Sequence, residues 1–106
     1  MGISHGEYEI DSKGEIIIVI FTGTWNKECS EELIEKYIPF IERKKVHKFG
    51  VLADLQNFEG ATPDAAKPLI ELSLWGSKNG QVARAQIINT EFKYFAVKDM
   101  QNLNLG

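Results

Sequence analysis

The chain has 106 residues, 43% of them hydrophobic and 25% charged, with a formal net charge of −3. That length fits one compact domain spanning residues 1–106, the composition excludes a disordered chain, and the excess of acids argues against a nucleic-acid partner. A single cysteine, Cys29, excludes an internal disulfide, and no apolar run nears the roughly 18 residues of a membrane span, so no integral membrane segment and a reducing, cytoplasmic location are expected.

The opening MGISHGEYEI has neither a basic start nor an apolar segment, so no signal peptide is expected. Tyr8 to Ile10 reads as a short strand. Asp11, Ser12, Lys13 and Gly14 carry a turn signal, with glycine available for positive φ. Glu15 to Phe21 contains IIIVIF, which is apolar throughout and β-branched as far as Ile20. A run that is apolar on both faces predicts a central strand, paired to the first as a hairpin. Thr22, Gly23 and Thr24 are expected to end it.

Trp25 to Lys45 has helical spacing. Cys29, Leu33, Tyr37, Phe40 and Ile41 form the apolar stripe, widened by Ile34 and Ile38. Glutamates at 28, 31, 32 and 35 crowd its start, and Arg43, Lys44 and Lys45 crowd its end, matching the helix dipole. Pro39 removes one intrahelical hydrogen bond, so a kink or break is expected there. Val46 to Phe49 is expected to be the connection.

Gly50 to Lys67 reads as a buried strand, a polar turn and a helix start. Val51, Leu52, Ala53 and Leu55 make the strand, and Asn57, Gly60 and Pro63 close it. Thr62 is placed as an N-cap whose hydroxyl accepts from the first turn, with Pro63 at the first helical position and Asp64 on the positive end of the dipole. The helix is expected from Pro63 to Ser77, interrupted early by Pro68 and ended by Gly76 or Gly80. A strand follows from Val82 to Ile88. In it Ala83, Ala85 and Ile87 point one way and Val82, Arg84, Gln86 and Ile88 the other, so one face is at least partly wet. Thr90 then caps a last helix with Phe92, Phe95, Ala96 and Met100 as its stripe.

The order is strand, strand, helix, strand, helix, strand, helix. It predicts an α/β fold with a single mixed β-sheet, an N-terminal hairpin followed by βαβαβα units. Ile16 to Phe21 is expected beside Val51 to Leu55, in parallel.

This order, the size, the run GVLADLQNFEG before a helix and the later strand VARAQII resemble the STAS domains, in their SpoIIAA-like branch. The likeness covers roughly Glu7 to Met100. It implies a STAS/SpoIIAA-like fold and a non-catalytic binding or regulatory role. Bacterial STAS antagonists carry a phosphorylatable Ser or Thr at the turn before the second helix, and Thr62 falls near that position. Here the setting is Ala61-Thr62-Pro63-Asp64, without the Asp-Ser pair and following glycine of that family. The branch also resembles lipid-binding domains of the CRAL-TRIO kind, which implies a small lipophilic ligand as an alternative.

No catalytic constellation is visible. Asp54 and Glu59 lie near the central turn with neither a nucleophile nor an oxyanion donor beside them. His5 and His47 stand apart from any carboxylate or cysteine at metal-ligand spacing. Cys29 has glutamates around it in sequence, which opposes a thiolate. The basic run at 43–48 reads as a solvated helix end. No enzyme activity, metal or cofactor is therefore expected. Trp25, Asp54, Phe58, Glu59 and Trp75 are singled out as a partner or ligand surface. The turn from Phe58 to Thr62, with Trp25, is expected to be an exposed face for another protein or a second copy of the chain. The competing reading tucks both aromatics back as core. A cavity between the second helix and the sheet would favour a ligand carrier; a filled core with a flat apolar patch would favour a protein-binding module.

Overall fold

The structure is a computed structural model and describes residues 3–88. Its elements are β1 (Glu7–Lys13), β2 (Ile16–Trp25), α1 (Lys27–Lys44), β3 (Phe49–Ala61), α2 (Pro63–Lys78) and β4 (Gln81–Ile88). The four strands form one sheet in the order β1-β2-β3-β4. β1 runs antiparallel to β2, whereas β2–β3 and β3–β4 are parallel. The expected mixed sheet and the central, parallel placement of Ile16 to Phe21 beside Val51 to Leu55 are both observed. The expected last helix, with Thr90, Phe92, Phe95, Ala96 and Met100, lies outside the described residues.

The hairpin is tighter than the sequence suggests. β1 continues through Lys13, which pairs with Ile16, and the turn is Gly14 and Glu15. Gly14 has φ 60°, the conformation that a two-residue hairpin turn needs at its first position. β2 also runs past Thr22, Gly23 and Thr24 to Trp25. α1 therefore starts later than expected, after Asn26. The Asn26 side chain accepts from the Cys29 backbone N–H at 3.1 Å and caps the helix. Pro39 does not break α1, which continues to Lys44.

β3 is the longest strand and overruns the expected turn. Gln56 to Ala61 stay in the sheet, and Phe49 opens the strand instead of ending a connection. Two register shifts against β2, between Ile20 and Thr22 and between Gly23 and Thr24, absorb the extra residues. α2 begins at Pro63 as expected. It passes through Gly76, which is buried, and ends at Asn79.

Both crossovers step the same way along the sheet, so connections of one hand lay both helices on one face. Ile17, Val19, Ala53 and Leu55 meet Leu33, Tyr37, Ile41 and Leu69 there, forming the buried core. The other face carries Ile16, Ile18, Ile20, Leu52, Ala83, Ala85 and Ile87. Ile16 is 44% exposed and Ile87 39% exposed. Among the described residues no helix covers that face.

Ser30 sits on the buried side of α1, and its hydroxyl has no hydrogen-bond partner among the described residues. An unsatisfied buried hydroxyl costs about 1–3 kcal/mol. Alanine removes that cost and is also a better helix former. Ser30→Ala is expected to raise the unfolding free energy by about 1 kcal/mol, read by urea titration. A loss of stability would show that the hydroxyl is paired in solution.

Candidate functional site

A cavity of about 100 Å³ lies between α2 and the helix-covered face of the sheet. Strand alternation builds its floor. Val19 and Phe21 come from β2, and Val51, Ala53 and Leu55 from β3. Leu33 and Tyr37 of α1 close one side. Leu69, Ile70 and Leu72 of α2 form the roof, and Phe58 fills one end. Space remains because Ala53, at the middle of the floor, ends at a methyl group.

The polar lining gathers on the β4 side, where Ser73, Gln81, Arg84 and Gln86 stand. Arg84 is the one ionised side chain among the described lining residues. Its Nη1 donates to the Ser73 Oγ at 2.8 Å, which ties the guanidinium to α2. Burial pushes the Tyr37 phenol up to about 12, so it stays a neutral hydroxyl at ordinary pH. Among the described residues the site therefore has apolar walls, a fixed cation and no carboxylate in its lining. Such a site fits a small apolar body with an acceptor or anionic end. A second, shallower depression between β1 and α1 is lined by Tyr8, Ile10, Pro39 and Phe40, with Glu35, Lys36 and Arg43 around it. Its charges are of both signs, so it selects no ligand class.

The residues singled out from the sequence are scattered. Trp25 is fully buried and Phe58 is 6% exposed, so the expected exposed aromatic face is overturned. Their rings lie 6.5 Å apart, each also against Phe21. They are core because β2 and β3 both run on past the points where turns were expected. Phe58 alone of the five reaches the cavity. Trp75 is half-buried and packs edge-on against Tyr37. Asp54 faces the uncovered side of the sheet, where its carboxylate accepts from the Gln56 backbone N–H at 3.1 Å. Glu59 is exposed on the late part of β3.

Thr62 occupies the N-cap position, yet its hydroxyl makes no capping bond. It donates instead to the Asp64 carboxylate at 2.5 Å, so the expected acceptor role is replaced by a donor role. Cys29 is buried, and burial pushes its thiol up, as the neighbouring Glu32 also does; a Ser4 hydrogen bond opposes this. The described residues hold no group of three His, Cys, Asp or Glu able to bind a metal. Sequence reading missed Ala53, Ser73 and Arg84 as site residues. Only the alternation of VARAQII, with its single arginine on the helix side, signals one of them.

No family model and no curated relative matches the chain. A solved structure does: an uncharacterised protein of the DUF3478 family with a SpoIIAA-like fold, from Shewanella loihica PV-4. The two share a TM-score of 0.70 and 17% identity, over all of this chain and 85% of the other. The chain has a SpoIIAA-like fold, as its resemblance to that branch implies. No helix among the described residues is long and apolar enough to cross a membrane.

Two outcomes follow from this placement. Trp25→Ala and Phe58→Ala are each expected to lower stability by about 3–5 kcal/mol, the usual loss for a buried aromatic. Urea unfolding checks this, and a loss near zero would return the pair to the surface. The raised Tyr37 pKa makes stability pH-dependent at the alkaline end. The folded state holds the phenol proton more tightly than the unfolded chain, whose tyrosines titrate near 10. That contribution is complete below pH 10 and is lost as pH rises through about 12. Tyr8 is also pushed up, by burial and then by its hydrogen bond to Glu32, and adds in the same sense. Denaturation measured between pH 9 and 12 should show the fall, and Tyr37→Phe should reduce it.

Proposed function

We propose that this SpoIIAA-like module is a non-catalytic binding protein for a small, mainly apolar molecule, held in the cavity beneath α2. The observation that carries the reading is the cavity itself, apolar in its walls and cationic at Arg84. Magnitude limits the ligand. A dry cavity of about 150 Å³ accepts benzene. The space here is about 100 Å³, which holds a body of roughly five carbon atoms. The polar end of the ligand is a carboxylate or another acceptor, because Arg84 can donate two parallel hydrogen bonds to it. Among the described lining residues none is an activated nucleophile, and the reading proposed is of binding without turnover.

A second reading is supported by the sheet face that no described helix covers. Its isoleucines form a flat apolar patch fringed by Glu7, Glu9 and Asp11, a surface suited to a protein partner. The cavity reading is preferred because side chains from three strands and two helices converge on it.

Valerate and 1-butanol test the proposal by ligand-detected NMR. Both should show saturable contact with the protein. Arg84→Gln should weaken valerate and leave butanol unchanged. Ala53→Val, which fills the floor, should remove both while keeping or raising the melting temperature. Absence of contact for both probes, or binding that survives Ala53→Val, would sink the ligand reading and favour the sheet face.

A further inference from the structure

We propose that the end of the sheet at which its parallel strands begin docks on an anionic lipid bilayer. The proposal rests on a patch of cations that folding assembles from three separate segments, and it is independent of the ligand reading.

β2, β3 and β4 all start at this end, where Ile16 lies beside Gly50 and Phe49 beside Gln81. β1 finishes there, with Lys13 opposite Ile16. α1 and α2 finish there too, each just before its following strand. Backbone bonds join the segments: the Gly50 N–H donates to the Glu15 carbonyl at 3.0 Å, and the Phe49 N–H to the Gly80 carbonyl at 2.9 Å. Segments 13–16, 42–49 and 78–81 therefore bring together Lys13, Arg43, Lys44, Lys45, Lys48 and Lys78, all exposed. These are six of the chain's 12 Lys and Arg, whereas Glu15 and Glu42 are the only carboxylates in the same segments. A chain of net charge −3 thus carries +4 at one end. Asp11 stands two residues back along β1 and accepts from the Ser12 N–H. The helix dipole accounts for cations in the last turns of α1 and α2, but not for Lys13 on a strand or Lys48 in a connection. The ion pairs among the described residues, Lys27–Glu31 at 3.9 Å and Lys36–Glu32 at 3.7 Å, involve none of the six.

The described chain begins and ends at the opposite end of the sheet. β4 runs out there at Ile88, and Asn26, just beyond β2, holds the Ile3 carbonyl there at 2.7 Å. Two features favour a bilayer over an acidic protein. The cations span the sheet from β1 to the approach to β4, roughly 14 Å at about 4.8 Å per strand, a broad front suited to several headgroups at once. Exposed apolar side chains also stand among them. Ile16, 44% exposed, opens β2, and Val82, 65% exposed, is the second residue of β4. Apolar side chains set among cations match the boundary of an anionic bilayer, which buries the first beside its acyl chains and pairs the second with its headgroups.

The test sediments the whole chain with vesicles of phosphatidylcholine alone and of phosphatidylcholine with about one-third phosphatidylglycerol. At low salt the chain should bind the second kind and not the first, and high salt should release it. Lys13 and Lys78 are the informative pair, because they lie outside the basic run at 43–48 and only the fold joins them to it. Lys13→Gln combined with Lys78→Gln should weaken binding about twenty-fivefold, each cation at an anionic surface being worth roughly fivefold. Lys27→Gln combined with Lys67→Gln makes the same change in net charge where both helices begin, at the opposite end, and should leave binding within about twofold. All four lysines are exposed, so both variants should fold like the parent chain. Equal binding to the two kinds of vesicle, no binding to either at low salt, or equal losses from the two pairs of substitutions would overturn the proposal. So would capture of the chain by polyglutamate as strongly as by the anionic vesicles, which would assign this end to an acidic protein.

Discussion

Trp25 holds the described structure together at the point where four segments meet. Its ring is fully buried against Tyr8, Phe21 and Phe58, with centroids 6.0, 4.9 and 6.5 Å away. Burying an indole requires a partner for its N–H, and the Thr22 carbonyl accepts it at 3.1 Å. Gly6 crosses the ring so closely, at φ 102°, that a Cβ there would come within 2.5 Å of it. Only glycine fits both the space and the backbone conformation. The Trp25 carbonyl in turn accepts from the Thr62 N–H at 3.0 Å, which fixes where α2 begins. The next residue, Asn26, caps α1 and also binds the backbone of His5 and Ile3. One side chain and its neighbour thus set the entry points of both helices and tie down the first described residues.

That arrangement explains which parts of the fold were legible. IIIVIF announces a central strand because no other element tolerates so many β-branched residues in succession. Thr62-Pro63-Asp64 announces a helix start because proline costs nothing at the first helical position. The strand ends were illegible for a specific reason. Gly23, Asn57 and Gly60 are turn formers by composition, but here they sit in the irregular part of the β2–β3 ladder. Gly23 has φ 81° and Gly60 φ 132°, conformations used to re-aim a strand without ending it. A turn and a bulge use the same residues, and only the pairing partner separates them. Reading a turn there placed Trp25 and Phe58 at loop ends and hence at the surface.

The site was less legible than the fold. Its floor depends on Ala53 being small, and an alanine in an apolar run reads as ordinary core. Its cation depends on Arg84 lying on the helix side. The alternation of β4 separates it from Ala83, Ala85 and Ile87, but nothing local says which face the helices cover or that α2 leaves room above it. Thr62 shows the same limit at a single residue. Its position as N-cap is a matter of backbone geometry and is legible. The direction of its hydroxyl depends on Asp64, which competes for it as a charged acceptor two residues on.

The site also carries an energetic argument about its proposed use. An apolar ligand would supply contact atoms to walls that otherwise meet solvent. Occupancy and stability would then be linked: a ligand held at a hundred times its dissociation constant adds about 2.7 kcal/mol. On the proposed ligand reading the polar side would select. Arg84 is tethered to Ser73, so the guanidinium would need little reordering to meet an acceptor, whereas a cationic ligand of the same size would meet its charge with no carboxylate among the described lining residues to offset it.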